Sequence, residues 1–328
     1  MNINQKTRRR IISALLVIAA AASGFGALAA EGGVDMKNSA PIAENIELAT
    51  YKNVSVSGRL SAMDPDGDAV RFAVKKEPKK GSVELCDGGE FVYTPYKNKK
   101  GTDSFTYVAF DAFENVSAEA AVSIKIKSQS TDVCYADMDG NSAHYDAICL
   151  AENGIFIGER IGTSYFFSPE ATVTRSEFLA MCMTMCGVEN LDDITKTGFA
   201  DDAAIPAWSK PYVATALTAG IVRGYRSTSG NIVFSADAPI SYSEAVVILD
   251  NVLDITDVSA GAFDAECSCP AWAYQSASNL ASCRIITDVG AAGSTAVMTR
   301  ADAAKMLSAS IDVLESRPKR VSLFGWIR

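Results

Sequence analysis

Two arginines stand where an anion could bind, each directly after the cap of a predicted helix. Thr174 and Glu177 flank Arg175 with the spacing of a capping box, in which a hydroxyl and a carboxylate satisfy free amides of the first turn. Thr299 precedes Arg300 in the same way, with an aspartate in the fourth position. Because a helix N-terminus carries free N–H groups and the positive end of the dipole, guanidinium and amides can converge on one anion. The spacing therefore predicts binding of a carboxylate or a phosphate.

A second group of chemically capable side chains lies in the acidic turn that contains Asp64, Asp66 and Asp68. Such a turn places several carboxylates close together, and clusters of hard oxygen ligands can hold Ca²⁺. The turn lacks the spaced ligands and the bidentate glutamate of an EF-hand. Two interpretations stay open: a calcium site, and a solvated turn that uses proline and glycine for its backbone geometry.

The composition argues against catalysis and against nucleic-acid binding. The chain has 328 residues and one histidine, His144, which counts against Ser-His-Asp, Cys-His and His-rich zinc chemistry. We interpret His144 as a packing residue at a helix start rather than as a ligand. The formal charge of −9 disfavours nucleic acid, because duplex affinity depends on Lys and Arg neutralising phosphates. No Gly-x-Ser-x-Gly motif supplies a nucleophile. We predict that the protein is not an enzyme.

The cysteines leave the redox state open. Eight cysteines allow about 105 complete pairings, so no connectivity can be deduced from the sequence. Cys149, Cys182 and Cys186 lie in apolar helical patterns, which favours small buried hydrophobic residues over disulfides. Zinc is disfavoured further by the absence of a Cys-x-x-Cys pair.

Residues 1–29 have the layout of a secretory signal peptide. A basic segment that ends at Arg10 precedes an apolar run over 11–22, and small residues follow up to Ala29. The run is shorter than the roughly 20 residues needed to span a bilayer. We expect cleavage near Ala29 and a secreted mature chain without a membrane span.

The rest of the chain divides into a β part and a helical part. Residues 38–128 alternate apolar and polar positions between Gly, Pro and Asp clusters, which predicts a β-sandwich of about ninety residues. After 128–131, alanine, leucine and methionine recur at helical spacing. The predicted strands cover 54–57, 70–74, 91–93, 104–107 and 121–126. A basic tail occupies 315–328, and its role is not assigned.

The helical part contains an internal repeat. Tyr135, Phe199 and Phe263 open three units of about sixty residues, over 133–187, 197–255 and 261–314. Trp208 and Trp272 each follow nine residues after the opening aromatic residue of their unit. Each unit ends in a helix that opens with a hydroxyl residue and an acid three positions later.

The β part resembles the bacterial cadherin-like, Ig-like domains found on secreted surface proteins. The resemblance rests on the Asp-Pro-Asp-Gly-Asp turn at 64–68, the Pro-Lys-Lys-Gly turn at 78–81, Gly-Thr-Asp-Ser-Phe-Thr-Tyr at 101–107 and Asp111. It covers nearly all of 38–128. It implies a spacer or display module.

The helical part resembles three S-layer homology (SLH) repeats. The resemblance rests on aromatic-x-Asp, the helix-opening Trp, Gly-Ile at the helix end, Phe-x-Pro in the loop and Thr-Arg-Ser-Glu. It implies an all-α bundle with pseudo-threefold symmetry whose grooves bind an anionic, often pyruvylated, secondary cell wall polysaccharide linked to peptidoglycan. The middle unit departs from the pattern with Tyr242 in place of the arginine, and the last has Arg284 in place of glycine.

Together the two resemblances imply a multidomain cell-surface protein: an all-β Ig-like sandwich followed by an all-α bundle. The alternatives are a surface adhesin whose Ig-like domain binds an external ligand, and an accessory subunit of a polysaccharide-degrading system. The predicted polysaccharide-binding residues are Arg175, Thr174, Glu177, Trp208, Gly220, Trp272, Arg300 and Thr299.

Overall fold

The structure is a computed structural model that describes residues 38–256, 258–259, 267–287, 289–293 and 296–316. The predicted signal peptide, Phe263 at the opening of the third unit and the tail from 317 lie outside the described residues. Within the described ranges, none of the helices has the length and apolar character needed to cross a bilayer.

The β part contains two antiparallel-rich sheets. The strands are β1 (Ile42–Ala43), β2 (Ile46–Tyr51), β3 (Val56–Arg59), β4 (Ala62–Met63), β5 (Arg71–Lys76), β6 (Gly81–Leu85), β7 (Glu90–Pro95), β8 (Gly101–Phe110) and β9 (Ala120–Lys127). One sheet has four strands in the order β2-β9-β8-β5, with β2 and β9 parallel, and the other has three in the order β3-β7-β6. A short ladder pairs β1 with β4. Every predicted strand overlaps an observed one, whereas β2, β6 and the two-residue strands β1 and β4 were not predicted.

Alternate residues of β7, β8 and β9 form the core of the sandwich. Phe91 and Phe105 pack edge to face at 5.2 Å, as expected of aromatic pairs in a core. Tyr93 is fully buried and donates its hydroxyl to Asp103 at 2.8 Å. Asp103 also accepts the amides of Lys79 and Lys80, so the buried carboxylate is fully bonded and ties the 78–81 turn to β8.

The described residues of the helical part form helices and two small β-hairpins. The elements are α1 (His144–Glu152), β10 (Glu159–Ile161), β11 (Ser164–Phe166), α2 (Arg175–Met185), α3 (Lys210–Thr218), β12 (Tyr225–Arg226), β13 (Ile232–Val233), α4 (Tyr242–Leu253), α5 (Tyr274–Ser282) and α6 (Arg300–Ser316). In the described residues α1 packs on α6, α4 on α5, and α2 on both α3 and α4.

A closed ring of three backbone hydrogen bonds joins the N-terminal ends of α2, α4 and α6. Val173 donates its N–H to Met298, Met298 to Ile240, and Ile240 back to Val173, at 3.0, 2.9 and 2.9 Å. Each of these residues immediately precedes the cap of its helix. The three helix N-termini are therefore joined directly to one another by backbone hydrogen bonds.

The segment between the two parts is bound to α1. The carboxylate of Glu152 accepts hydrogen bonds from the amide and hydroxyl of both Ser130 and Thr131. Burial alone would raise the pKa of Glu152, but these four bonds lower it to about 2. Tyr51 of β2 also stacks on Tyr145 of α1, with 5.5 Å between the ring centroids. The segment at 128–131, where the composition changes, is thus held against α1 by hydrogen bonds.

A cleft of about 670 Å³ lies at this junction and is lined in part by Asp146, whose ionisation should make the stability depend on pH. Burial raises the pKa of Asp146 to about 6, against the opposing effects of Ser308 and Lys305. A raised carboxyl pKa stabilises the fold below about pH 4, and that contribution is lost as the pH rises through 6. Asp146→Asn should therefore match the wild type near pH 4 and exceed its free energy of unfolding at pH 7 by on the order of 2 kcal/mol.

Urea unfolding of Asp146→Asn and wild type between pH 4 and 7 measures this difference. The other charged groups lining the cleft, common to both proteins, are Glu47, Lys125, Lys127, Lys305 and Asp312. If the free energies of unfolding of the two proteins changed in parallel with pH, ionisation of Asp146 would not destabilise the fold, and the prediction would be wrong.

The ends of α3 and α5 show what Arg284 costs the protein in the place where the repeat pattern has glycine. Gly220 (φ 75°) ends α3 in a Schellman motif. Its amide donates to the carbonyl of Leu217, and the amide of Ile221 donates to the carbonyl of Ala216. Arg284 holds the same place after α5 with φ 59° and the same pair of bonds. A residue with a Cβ pays about 1 kcal/mol for this left-handed conformation.

We therefore expect Arg284→Gly to stabilise the protein by about 1 kcal/mol and Gly220→Ala to destabilise it by about the same amount. A Cβ added at Gly220 would meet nothing within 4 Å, so the cost there is conformational rather than steric. Thermal melts of the two variants make the comparison. A lower melting temperature for Arg284→Gly would mean that the arginine side chain contributes more than its backbone costs.

Candidate ligand-binding grooves at two helix N-termini

The capping boxes form as their spacing predicts. The Thr174 hydroxyl accepts the Glu177 amide, and the Glu177 carboxylate accepts the Thr174 amide. Ser241 and Glu244 repeat this arrangement at α4. At α6 the shorter Asp302 side chain still accepts the Thr299 amide at 3.1 Å. All three helices therefore begin at a fixed residue, which positions the side chain that follows the cap.

Arg175 extends from the N-terminus of α2 into the second unit. Its Nη2 lies 2.5 Å from Oε1 of Glu244, and its guanidinium lies 5.6 Å from the ring of Tyr225 and 5.9 Å from that of Phe234. The arginine side chain is 13% exposed. Burial alone would raise the pKa of Glu244, but the Ser241 amide and Arg175 lower it overall. We name this site, formed by Arg175, Tyr225, Phe234 and Glu244, the Arg175 groove.

Arg300 extends from the N-terminus of α6 into the first unit in the same way. Its guanidinium lies 5.2 Å from the ring of Phe156, and Nη1 donates to the carbonyl of Phe167 at 3.2 Å. Both terminal nitrogens lie 3.3 Å from Oε1 of Glu159, whose side chain is 61% exposed. The capping Glu177 lines the small cavity beside Arg300. We name this site the Arg300 groove.

In each of the first two units, an aspartate holds the loop that contacts the arginine. Asp201 accepts the amides of Phe234 and Ser235 at 3.0 and 2.7 Å. Asp137 accepts the amides of Phe167 and Ser168 at 2.9 and 2.6 Å. The phenylalanine beside each arginine is therefore anchored by the aspartate of the aromatic-x-Asp motif. In the sequence, this motif served to align the units and to support the S-layer homology resemblance, but its aspartate was not assigned a role in the grooves.

The third helix N-terminus of the set lacks a guanidinium. Tyr242 is the first residue of α4, where the other two helices have arginine. The following residue, Ser243, donates its hydroxyl to the carbonyl of Ala292, as Ser176 does to Ala236 in α2. The backbone arrangement is thus retained while the charge is not.

Three other predicted site residues lie at the ends of the shorter helices. Trp208 is 52% exposed just before α3, and its ring lies 6.5 Å from that of Tyr212. Trp272 is 61% exposed just before α5. Gly220 ends α3. A polysaccharide contact at Gly220 or at the two tryptophans stays a prediction.

The acidic turn of the sandwich brings together a different set of carboxylates from the one predicted. Oxygens of Asp64, Asp68 and Asp111 lie within 4.8 Å of one another. The prediction included Asp66, but its carboxylate instead accepts the amide of Ser39 at 2.6 Å. Oδ2 of Asp64 is buried without a hydrogen-bond partner among the described residues. Carboxylate oxygens at this spacing, one of them unsatisfied, fit a hard cation such as Ca²⁺.

The lone histidine and the cysteines have ordinary structural positions. His144 is the first residue of α1, and burial lowers its pKa. Seven cysteines are free thiols in the structure: Cys86, Cys134, Cys149, Cys182, Cys186, Cys267 and Cys269. Cys149 and Cys182 are buried, and Cys186 is partly buried, as predicted for small apolar residues.

Sequence comparisons match both parts of the chain to known domain families. The bacterial cadherin-like domain family matches residues 38–128, and the S-layer homology domain family matches residues 198–246. The second match spans Asp201, Trp208, Gly220, Phe234 and Glu244. The chain therefore contains a bacterial cadherin-like domain and an S-layer homology domain.

Among individual proteins, the surface-layer 125 kDa protein of Lysinibacillus sphaericus is 28% identical over 129 residues. The match covers 39% of this chain and 10% of that protein. This relative carries the term surface-layer in its name, in agreement with the S-layer homology match.

Three solved structures resemble part of the chain at low sequence identity. An endo-fucoidan hydrolase, MfFcnA4, is 17% identical with a TM-score of 0.24, and covers 29% of this chain and 15% of its own. The SrpA adhesin of Streptococcus sanguinis is 15% identical with a TM-score of 0.22, over 30% and 66% of the two chains. Fibronectin(III)-like modules of CbhA from Clostridium thermocellum are 21% identical with a TM-score of 0.20, over 27% and 47%. At these TM-scores the likenesses carry no functional argument.

Proposed function

We propose that this chain is a secreted cell-surface protein held on the cell envelope by three S-layer homology repeats, over 133–187, 197–255 and 261–314. The repeats bind an anionic secondary cell wall polysaccharide in grooves between neighbouring units. The cadherin-like domain serves as a spacer or display module. Both matched families are non-enzymatic, which agrees with an anchoring role.

The observation that carries this proposal is the repeated construction of the two grooves. In each, a capped helix of one unit presents an arginine to an aromatic ring of another unit, Phe234 for Arg175 and Phe156 for Arg300. An aspartate anchors the loop at Phe234 and, in the other groove, at Phe167, whose carbonyl accepts a hydrogen bond from Arg300. An arginine against an aromatic ring is less hydrated and presents several donors in one plane, which suits a carboxylate on a sugar. The ring of backbone hydrogen bonds supports three related units.

The proposal is tested by co-sedimentation of the purified protein with cell wall sacculi of the producing organism, before and after chemical removal of their secondary polymer. Binding to intact sacculi and release from stripped ones is the expected result. Equal binding to both would place the ligand in peptidoglycan itself, and no binding to either would refute the anchoring role.

A calcium site in the cadherin-like domain is a separate proposal, carried by the convergence of Asp64, Asp68 and Asp111. Because a ligand bound only to the folded state stabilises it by about 2.7 kcal/mol at a hundred times its Kd, 1 mM Ca²⁺ should raise the melting temperature by several degrees if its Kd is about 10 µM. Differential scanning calorimetry with Ca²⁺ or EDTA measures the shift.

Asp64→Asn and Asp68→Asn should each remove most of this calcium shift. Asp66→Asn is the matched control, since Asp66 lies in the same turn and bonds Ser39 instead. An equal loss in the Asp66 variant, or no shift in the wild type, would contradict the assignment.

A further inference from the structure

Glu244 has two roles in the Arg175 groove. Its Oε2 accepts the Ser241 amide within the capping box of α4, while its Oε1 holds the guanidinium of Arg175 from the neighbouring unit. The two residues are 69 positions apart in the chain. The carboxylate of Glu244 therefore occupies the position at Arg175 in which an acidic group of a ligand would bind.

The pair leaves the guanidinium incompletely bonded. Glu244 binds Arg175 through Nη2, whereas Nε of Arg175 is buried and has no hydrogen-bond partner among the described residues. A planar carboxylate can bind a guanidinium side-on through Nε and one terminal nitrogen at once. Glu244 makes one of these two bonds because its other oxygen is engaged in the helix cap.

We propose that Glu244 is a resident counter-ion that exchanges with an acidic group of the wall polymer at Arg175. The incoming carboxylate bonds Nη2 in place of Glu244 and also bonds Nε, which Glu244 leaves without a partner, while Glu244 keeps its bond to the cap. The exchange selects ligands that carry a carboxylate over neutral sugars, because a neutral hydroxyl cannot replace the negative charge that Glu244 supplies to the guanidinium. This inference rests on the proposed polysaccharide-binding function.

The Arg300 groove provides an internal comparison. Its carboxylate partner, Glu159, lies 3.3 Å from the guanidinium and is 61% exposed, whereas Glu244 lies at 2.5 Å and is 30% exposed. Exposed ion pairs contribute little because water and salt screen them. An acidic ligand therefore meets a weaker competitor at Arg300 than at Arg175.

The test is the affinity of Glu244→Gln for the acidic polymer released from sacculi, measured by isothermal titration calorimetry. Glutamine is also a capping-box residue, so the variant should keep the α4 cap while losing the competing charge. We expect binding to tighten about three- to tenfold, and Glu159→Gln to change it less than twofold. Thermal melts establish that both variants are folded.

A double-mutant cycle separates competition from indirect effects on the fold. In the Arg175→Ala background, Glu244→Gln should have no further effect, because there is no guanidinium left to release. Unchanged or weaker binding by Glu244→Gln, or the same gain in the Arg175→Ala background, would overturn the exchange while leaving the anchoring function intact. Failure of the wild type to bind the released polymer would overturn both.

Discussion

Arg175→Ala should lower the affinity of the folded protein for its wall polymer by roughly ten- to a hundredfold. A charge-assisted hydrogen bond contributes on the order of 1.5 to 3 kcal/mol, which corresponds to this range. The side chain lies between Tyr225 and Phe234 and is mostly buried, so water screens its contacts less than those of a surface arginine. Titration of the variant against polymer released from sacculi gives the affinity, and thermal melts confirm folding.

Arg175→Lys should recover only part of the lost affinity. Lysine keeps the positive charge but lacks the planar fork that binds a carboxylate through two donors. Arg300→Ala is the matched substitution in the other groove. Its loss of affinity measures the contribution of the Arg300 groove to polymer binding. Wild-type affinity in a folded Arg175→Ala protein would show that the Arg175 groove does not bind the polymer.

Asp201→Ala should destabilise the helical part by about 2 to 3 kcal/mol and weaken polymer binding. Its carboxylate holds two backbone amides of the loop at Phe234 and Ser235, and their loss leaves partly buried donors without partners. Ser235 has φ 55°, a left-handed conformation that the loop adopts only while it is held. Urea unfolding and the same titration measure the two effects.

Asp201→Asn provides the graded control, because the amide keeps one acceptor oxygen and should retain part of the stability. Asp137→Ala makes the corresponding change at Phe167 and should affect the Arg300 groove instead. A stable Asp201→Ala protein with wild-type affinity would mean that packing alone holds the loop.

The features that the sequence predicted well depend on nearby residues. A capping box joins positions three apart, so Thr174 and Glu177 can be recognised without knowledge of the fold. Period-two alternation likewise indicated the positions of the long strands β7, β8 and β9. β2 was not predicted because the alternation of apolar and polar residues breaks off after Ile46-Glu-Leu48. In the fold the successive residues Thr50 and Tyr51 are both buried.

The features that the sequence did not predict depend on distant partners. Asp111 joins Asp64 and Asp68 because β8 ends beside the acidic turn, whereas the Asp66 carboxylate accepts the amide of Ser39. Glu244 is recognisable as a cap from its own helix, but its pairing with Arg175 depends on how two units pack. Composition similarly marked a boundary at 128–131, while the bonds from Glu152 that hold it required the fold.

The most direct measurement of wall attachment through the grooves is co-sedimentation of the double variant Arg175→Ala/Arg300→Ala with polymer-bearing sacculi, beside the wild-type protein. If the two grooves bind the polymer, the folded double variant should stay in the supernatant at concentrations where the wild type is fully bound. A folded double variant that pellets with the sacculi as the wild type does would show that attachment does not run through these arginines.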